Sequence, residues 1–152
     1  MPEEAYTIPF GQAHVVREGS DVTIVAVSQM VQKAVLAAQE LAKQSIHAEV
    51  LDLRTLVPLD VASVLKSVRK TGRLLVADED YLGFGLSGEI AAVIAEHLDT
   101  VHLKAPVKRL AVPNVPIPYS RPLEQFVIPQ VKNIVQAVQE LVVARMAQPE
   151  AA

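Results

Sequence analysis

The feature that most restricts this chain is an alternation that begins after Ser20: short β-branched and aliphatic runs, each followed by a longer stretch whose apolar residues recur at helical spacing. The short runs are 22–27, 48–53, 73–77 and 107–112, and most are apolar enough to be buried on both faces, as strands inside a parallel sheet are. Parallel neighbours need a long crossover, and the intervening stretches supply it as helices. The expected class is therefore α/β, with helices covering both faces of one sheet.

The first helix carries Val31, Ala34, Val35, Ala38, Leu41 and Ala42 on one stripe, with Ser28 placed to cap it. In the second, Asp60 is the expected N-cap, Val61, Val64, Leu65 and Val68 form the stripe, and Gly72 is placed to end the helix in a left-handed turn. A third is expected over 86–98, and a fourth opens with Pro129 near its first turn and carries Val131, Ile134, Val135, Val138, Leu141 and Val142. Ahead of these, residues 12–17 alternate polar and apolar. Glu18-Gly19-Ser20-Asp21 then offers a tight turn into the 22–27 run, so the first strand is expected antiparallel to the other four. Residues 113–128 contain Pro113, Pro116, Pro118 and Pro122 and are expected to cross the surface as an irregular segment available for binding.

Composition narrows the function. A chain of 152 residues, 51% apolar and 20% charged, without a low-complexity linker, reads as one folded domain. It has no cysteine, which excludes disulfides, thiolate metal sites and a thiol nucleophile and suits a reducing compartment, so cytoplasm is expected. No apolar run approaches the roughly 20 residues that span a bilayer. The net charge of −3 with scattered basic residues offers no footprint for nucleic acid.

Gly83-Phe84-Gly85-Leu86-Ser87-Gly88 fits G-x-G-x-x-G between a strand and a helix, where a dinucleotide site would stand. Asp78 to Leu82 separate the strand from the first glycine, and the acids among them oppose a pyrophosphate. The expectation is a plain glycine-rich turn. Asp78-Glu79-Asp80 lies where open α/β sheets bind ligands, and carboxylates there serve acid–base or metal chemistry; the expected reading is a solvated acidic loop with one carboxylate capping the next helix. His14, His47, His97 and His102 lack metal-site spacing, and no nucleophile elbow or P-loop occurs. No catalytic, cofactor-binding or metal-ligating residue is assigned.

Two runs, Asp21-Val22-Thr23-Ile24-Val25-Ala26 and Glu49-Val50-Leu51-Asp52-Leu53-Arg54-Thr55-Leu56-Val57-Pro58-Leu59-Asp60, are similar to the C-terminal, transketolase-like domains of the beta subunits of pyruvate, branched-chain and acetoin dehydrogenases. Lys70-Thr71-Gly72-Arg73-Leu74, Gly88-Glu89-Ile90-Ala91-Ala92, Ala105-Pro106-Val107-Lys108-Arg109, Pro116-Ile117-Pro118-Tyr119 and Pro122-Leu123-Glu124 follow in the same order. The resemblance covers about residues 7–141. It implies a three-layer α/β/α sandwich on a five-stranded, mostly parallel sheet with an antiparallel first strand. It also divides the chain into a linker at 1–10 from a missing N-terminal domain, the domain itself at 11–146, and a frayed tail at 147–152. The family's cofactors are thiamine diphosphate and Mg²⁺, held outside this region, so the resemblance implies an assembly domain that is inactive alone. Its implied partners are an alpha subunit, a second beta subunit and the basic peripheral subunit-binding domain of the acyltransferase component. The candidate interaction surface comprises Asp78, Glu79, Asp80, Lys104, Tyr119 and Glu124. Asp78-Glu79 stands where many beta subunits have His-Glu, and Lys104 stands where an acid often precedes the Ala-Pro pair, which would weaken docking to a basic partner. Two alternatives are the corresponding domain of transketolase, deoxyxylulose-phosphate synthase or a ferredoxin oxidoreductase, which the proline-rich stretch argues against, and a free-standing small-molecule binding domain.

Overall fold

A computed structural model of the protein describes residues 7–144; the first part of the expected linker, the end of the expected domain and the expected tail lie outside the described residues. In chain order the elements are β1 (His14–Arg17), β2 (Val22–Ala26), α1 (Gln29–Ala42), β3 (Ala48–Asp52), α2 (Val61–Thr71), β4 (Leu74–Tyr81), α3 (Leu86–Ala95), β5 (Lys108–Val112), α4 (Arg121–Val127) and α5 (Val131–Val143). One sheet runs β1-β3-β2-β4-β5. β2 pairs in parallel with β3 and with β4, β4 pairs in parallel with β5, and β1 pairs antiparallel with β3. The expected five strands and their directions are thus present. The turn after β1 does not close a hairpin, however, because β3 lies between β1 and β2.

That turn is built against the start of β3. The backbone N–H groups of Ser20 and Asp21 both donate to the His47 carbonyl, and the His47 N–H donates to Asp21 Oδ2 at 2.7 Å. A Cβ on Gly19 would lie 2.2 Å from the backbone of Ala48 and Glu49, so only glycine lets the two segments approach this closely.

Two cores flank the sheet, as a double-sided sheet requires. Ile24, Ala26, Val50 and Leu75 pack with α1 and α5, whose contributions include Met30, Ala34, Leu41, Ile134 and Val138. Val25, Leu51, Leu74 and Val76 pack on the other face with Val64, Leu65 and Val68 of α2 and Ile90 and Ile94 of α3. This is the three-layer α/β/α sandwich.

The second core also contains a polar knot. Buried Glu49 of β3 accepts from the Ser67 hydroxyl at 2.6 Å and pairs with Lys70, and Lys70 also reaches Glu18 at 2.8 Å. Thr23 of β2 lies 2.8 Å from both the Ser67 and the Thr71 hydroxyls. Every polar group is answered, which makes such burial tolerable and fixes the position of α2 on β2 and β3.

Helix ends follow the sequence in part. Asp60 accepts from the Ser63 N–H at 3.0 Å and the Ser63 hydroxyl at 2.7 Å, and Gly72 closes α2 at φ 73°. Ser28 stands before α1 but makes no side-chain cap, its own backbone lying at φ 55°. α3 ends at Ala95, short of Leu98. Pro129 precedes α5 rather than opening it: Gln130 and Asn133 form the reciprocal capping pair. Residues 121–127 form a short helix that the proline count concealed, because Pro122 occupies the first turn, where no N–H is needed.

Asp60 also binds the Ala13 N–H at 2.9 Å, tying the lead-in of β1 to α2. Burial alone would raise its pKa, but hydrogen bonds from Ser63 and Ala13 together hold it below the usual aspartate value. Its stabilising contribution is therefore present above the unfolded-state pKa of about 3.9 and is lost as pH falls through the lower folded value. Asp60→Ala is expected to cost about 1–2 kcal/mol at neutral pH in urea unfolding, with the deficit closing in acid.

Candidate interaction surface

Because helices cover both faces of the sheet, the carboxyl ends of β2, β3, β4 and β5 form one edge where loops converge. Antiparallel β1 enters at this same edge: the Gly11 N–H donates to Thr55 Oγ1 at 2.9 Å in the loop after β3. Open α/β sheets bind ligands here.

Every aromatic residue among those described is solvent-facing. Phe10, Tyr81, Phe84, Tyr119 and Phe126 are all exposed, while both cores are aliphatic. All five lie on segments at the carboxyl edge. Phe10 stands beside the loop that exposes Leu56 and Val57; Tyr81, Phe84, Tyr119 and Phe126 cluster by chain position around the exits of β4 and β5. Helix α4 buries none of its side chains. Large aromatics are the residues a fold normally places inside and an interface places at its centre.

The acidic run is not a loop. β4 continues to Tyr81, its register with β5 shifting between Ala77 and Tyr81, so Asp78, Glu79 and Asp80 belong to the strand and diverge. Asp78 is 2% exposed, receives the Asp80 N–H on Oδ1 at 3.1 Å, and leaves Oδ2 without a partner; the Ser87 hydroxyl, also buried, has none. Burial is the main reason its pKa is raised, with repulsion from Asp80 adding and backbone N–H groups of Asp80, Glu79 and Ser87 opposing. Asp80 is exposed and accepts from the Tyr81 N–H at 2.7 Å. Glu79 and Glu124 lie near Lys33, whose ammonium donates to the Pro129 carbonyl at 2.9 Å and whose pKa is lowered by burial against the pull of those two acids. Glu124 and Lys33, with Arg121, Gln29 and Gln130, line a polar cleft of about 270 Å³ between α1 and α4.

The glycine-rich segment is a rigid turn. The Leu82 N–H donates to the Val112 carbonyl at 2.7 Å and the Gly83 N–H to Asn114 Oδ1 at 3.0 Å. A Cβ on Gly83 would meet Asn114 Nδ2 at 2.4 Å, and one on Gly85 would meet the Tyr81 carbonyl oxygen at 2.0 Å. Between them Phe84 is held at φ 62°, a left-handed conformation that costs a non-glycine residue about 1 kcal/mol or more.

Lys104 does not join the other five candidates. It lies at the amino edge, its N–H donating to the Gly72 carbonyl at 2.7 Å and its ammonium to the Thr71 carbonyl at 2.8 Å. Its stem covers Gly72, so it caps the C-terminus of α2.

With this geometry in place, the relationships of the chain are decisive. The family model for the C-terminal domain of transketolase matches residues 11–134. The chain belongs to the transketolase C-terminal domain family. It is 44% identical over 140 residues to the acetoin:2,6-dichlorophenolindophenol oxidoreductase subunit beta of Cupriavidus necator, covering 92% of this chain and 41% of that relative. It is 44% identical over 135 residues to the mitochondrial pyruvate dehydrogenase E1 component subunit beta-1 of Arabidopsis thaliana, covering 89% of this chain and 37% of that relative. A solved structure described as a split gene transketolase, inactive beta4 tetramer, superposes with a TM-score of 0.77 at 31% identity, covering 92% of this chain and 45% of that one. The chain therefore spans about two fifths of the length of these relatives.

Reading the sequence missed Phe84, Phe126, Phe10 and Lys33 as surface determinants. The signal was present: no aromatic falls on any predicted apolar stripe or buried strand run.

Two substitutions separate these roles. Asp78 has a folded-state pKa above its unfolded one, so the benefit of the neutral carboxyl is full below about pH 3.9 and is lost as pH rises through the folded value. The stability of Asp78→Asn relative to the parent is expected to rise from pH 4 towards neutral in denaturant titrations on the order of one pH unit apart; a constant difference would contradict this. Lys104→Glu is expected to cost about 1 kcal/mol of stability by removing the cap and placing an anion at the C-terminus of α2, measured by thermal unfolding.

Proposed function

We propose that this chain is the C-terminal assembly and docking domain of the beta subunit of a thiamine-diphosphate-dependent 2-oxo acid dehydrogenase. In that reading the holoenzyme carries out oxidative decarboxylation of a 2-oxo acid, or cleavage of acetoin, and transfers the acyl group to lipoyl groups. The observation that carries the reading is the placement of every described aromatic on one edge of a domain whose core is aliphatic. Beta-subunit relatives at 44% identity supply the class.

In this reading the described residues are not the ones that hold Mg²⁺-diphosphate. Among the described residues no three His, Cys, Asp or Glu side chains are grouped to hold a metal ion, and Asp78, Glu79 and Asp80 face different surroundings. Thiamine diphosphate and Mg²⁺ would then be bound by an N-terminal domain and an alpha subunit. The partners of this chain in the proposal are that alpha subunit, a second beta subunit and the peripheral subunit-binding domain of the acyltransferase. A net charge of −3 suits a basic docking domain. The lack of cysteine suits a cytoplasmic setting, and no helix among the described residues is long and apolar enough to cross a membrane.

Calorimetric titration tests both halves of the reading. Thiamine diphosphate with Mg²⁺ is expected to give no saturable heat, and micromolar binding would contradict the proposal. The subunit-binding domain is expected to bind the assembled heterotetramer through its beta C-terminal domains, more weakly as salt rises past about 0.15 M. Undiminished binding with this domain's surface masked would place docking elsewhere.

A further inference from the structure

We propose that the flank of α2 turned toward the edge strand β1 holds a site for a small monocarboxylate with a short apolar tail, bound by Lys66 and Lys70 in the place that Glu18 occupies in this structure. A cavity of about 200 Å³ lies there, and its lining includes Glu49 and Ser67, both buried. Ser63, Lys66, Ser67 and Lys70 follow one another at helical spacing, so one face of α2 forms a wall. Val15 of β1 supplies an apolar patch, and lysine stems are themselves apolar up to the ammonium. Since a cavity of about 150 Å³ accepts benzene, a carboxylic acid of roughly four to six carbons fits.

The hydrogen bonds already made select an anion. Ser63 gives its hydroxyl hydrogen to Asp60 at 2.7 Å and Ser67 gives its own to Glu49 at 2.6 Å, so neither is left to donate. Glu49 is also occupied, accepting from Lys70 and from the Gly19 N–H at 3.4 Å. What remains is ammonium: Lys70 has three N–H groups for two carboxylates, and Lys66 enters no ion pair among the described residues. The charges select a single negative one. Glu18 already places a carboxylate on Lys70, at 2.8 Å, but its side chain is 79% exposed and such pairs are weak, so a ligand displaces it readily. With Glu18 turned out, Lys66 and Lys70 face only the buried Glu49 and leave one positive charge uncompensated. A monocarboxylate balances that charge, whereas a phosphate dianion exceeds it and meets Glu49 as a like charge.

Titration of the chain with pentanoate, followed by backbone amide NMR shifts, tests the site, with 1-pentanol and inorganic phosphate at about pH 8 as the uncharged and dianionic probes. Pentanoate is expected to move the amides of Gly19, Lys66, Ser67 and Lys70 saturably with a Kd on the order of 1 mM, and neither other probe to do so below about 20 mM. Lys66→Met keeps an apolar stem and loses the charge, and it is expected to weaken pentanoate binding about fivefold. Glu18→Gln removes the competing carboxylate and is expected to tighten it about threefold. Both positions are exposed, so the fold is retained, as thermal unfolding will verify. Opposite effects from two surface substitutions are not what a general loss of structure produces. No saturable shift up to about 50 mM, equal binding of 1-pentanol or phosphate, indifference to Lys66→Met, or a Glu18→Gln variant that binds no better than the parent would overturn the proposal.

Discussion

The sheet's demand for cover on both faces is the constraint from which the rest follows. All five residues of β2 are buried, with strands on either side and a helical layer above and below. Once α1 and α5 occupy one face and α2 and α3 the other, the domain meets its surroundings chiefly through helix exteriors, outer strands and two edges. The amino edge is used internally: Gly19 presses against β3, Gly72 ends α2, and Lys104 closes over it. The carboxyl edge is where exposed aromatic side chains collect.

The polar knot beneath α2 explains why this edge is reproducibly shaped. Apolar burial is non-directional and leaves the polar groups beneath α2 to add a directional constraint. Glu49, Ser67, Thr23 and Thr71 satisfy one another only in one register, and Lys70 answers the buried carboxylate from the rim. The position of α2 fixes Asp60, and Asp60 holds the backbone at Ala13, which leads Phe10 to its exposed place by the loop after β3. Electrostatic order inside the domain is thereby passed to a hydrophobic surface outside it.

Periodicity made the strands, their directions and the two-sided helical cover legible, because each depends on local spacing. Asp60 and Gly72 were legible for the same reason, their roles resting on side-chain chemistry within one turn. What escaped depended on distant partners. The skipped pairing of β1 is set by where β3 lands, the extension of β4 through Asp78-Glu79-Asp80 by its neighbour β5, and the cap made by Lys104 by the end of a helix more than thirty positions earlier. Helix α4 escaped because four prolines over 113–122 read as irregular, although Pro122 suits a first turn. Of the candidate surface, Asp78, Glu79, Asp80, Tyr119 and Glu124 come to one edge, with Asp78 buried beneath it.

In the proposed reading the aromatic carboxyl edge is the assembly face and the amino edge is internal structure. Hydroxyl-radical footprinting of the chain alone and within a complex reconstituted with the proposed alpha-type subunit measures this residue by residue. Assembly is expected to protect Phe10, Tyr81, Phe84, Tyr119 and Phe126 strongly while leaving His102 at the amino edge, which is exposed, as reactive as before. Protection of His102 with the five aromatics unchanged would contradict the account.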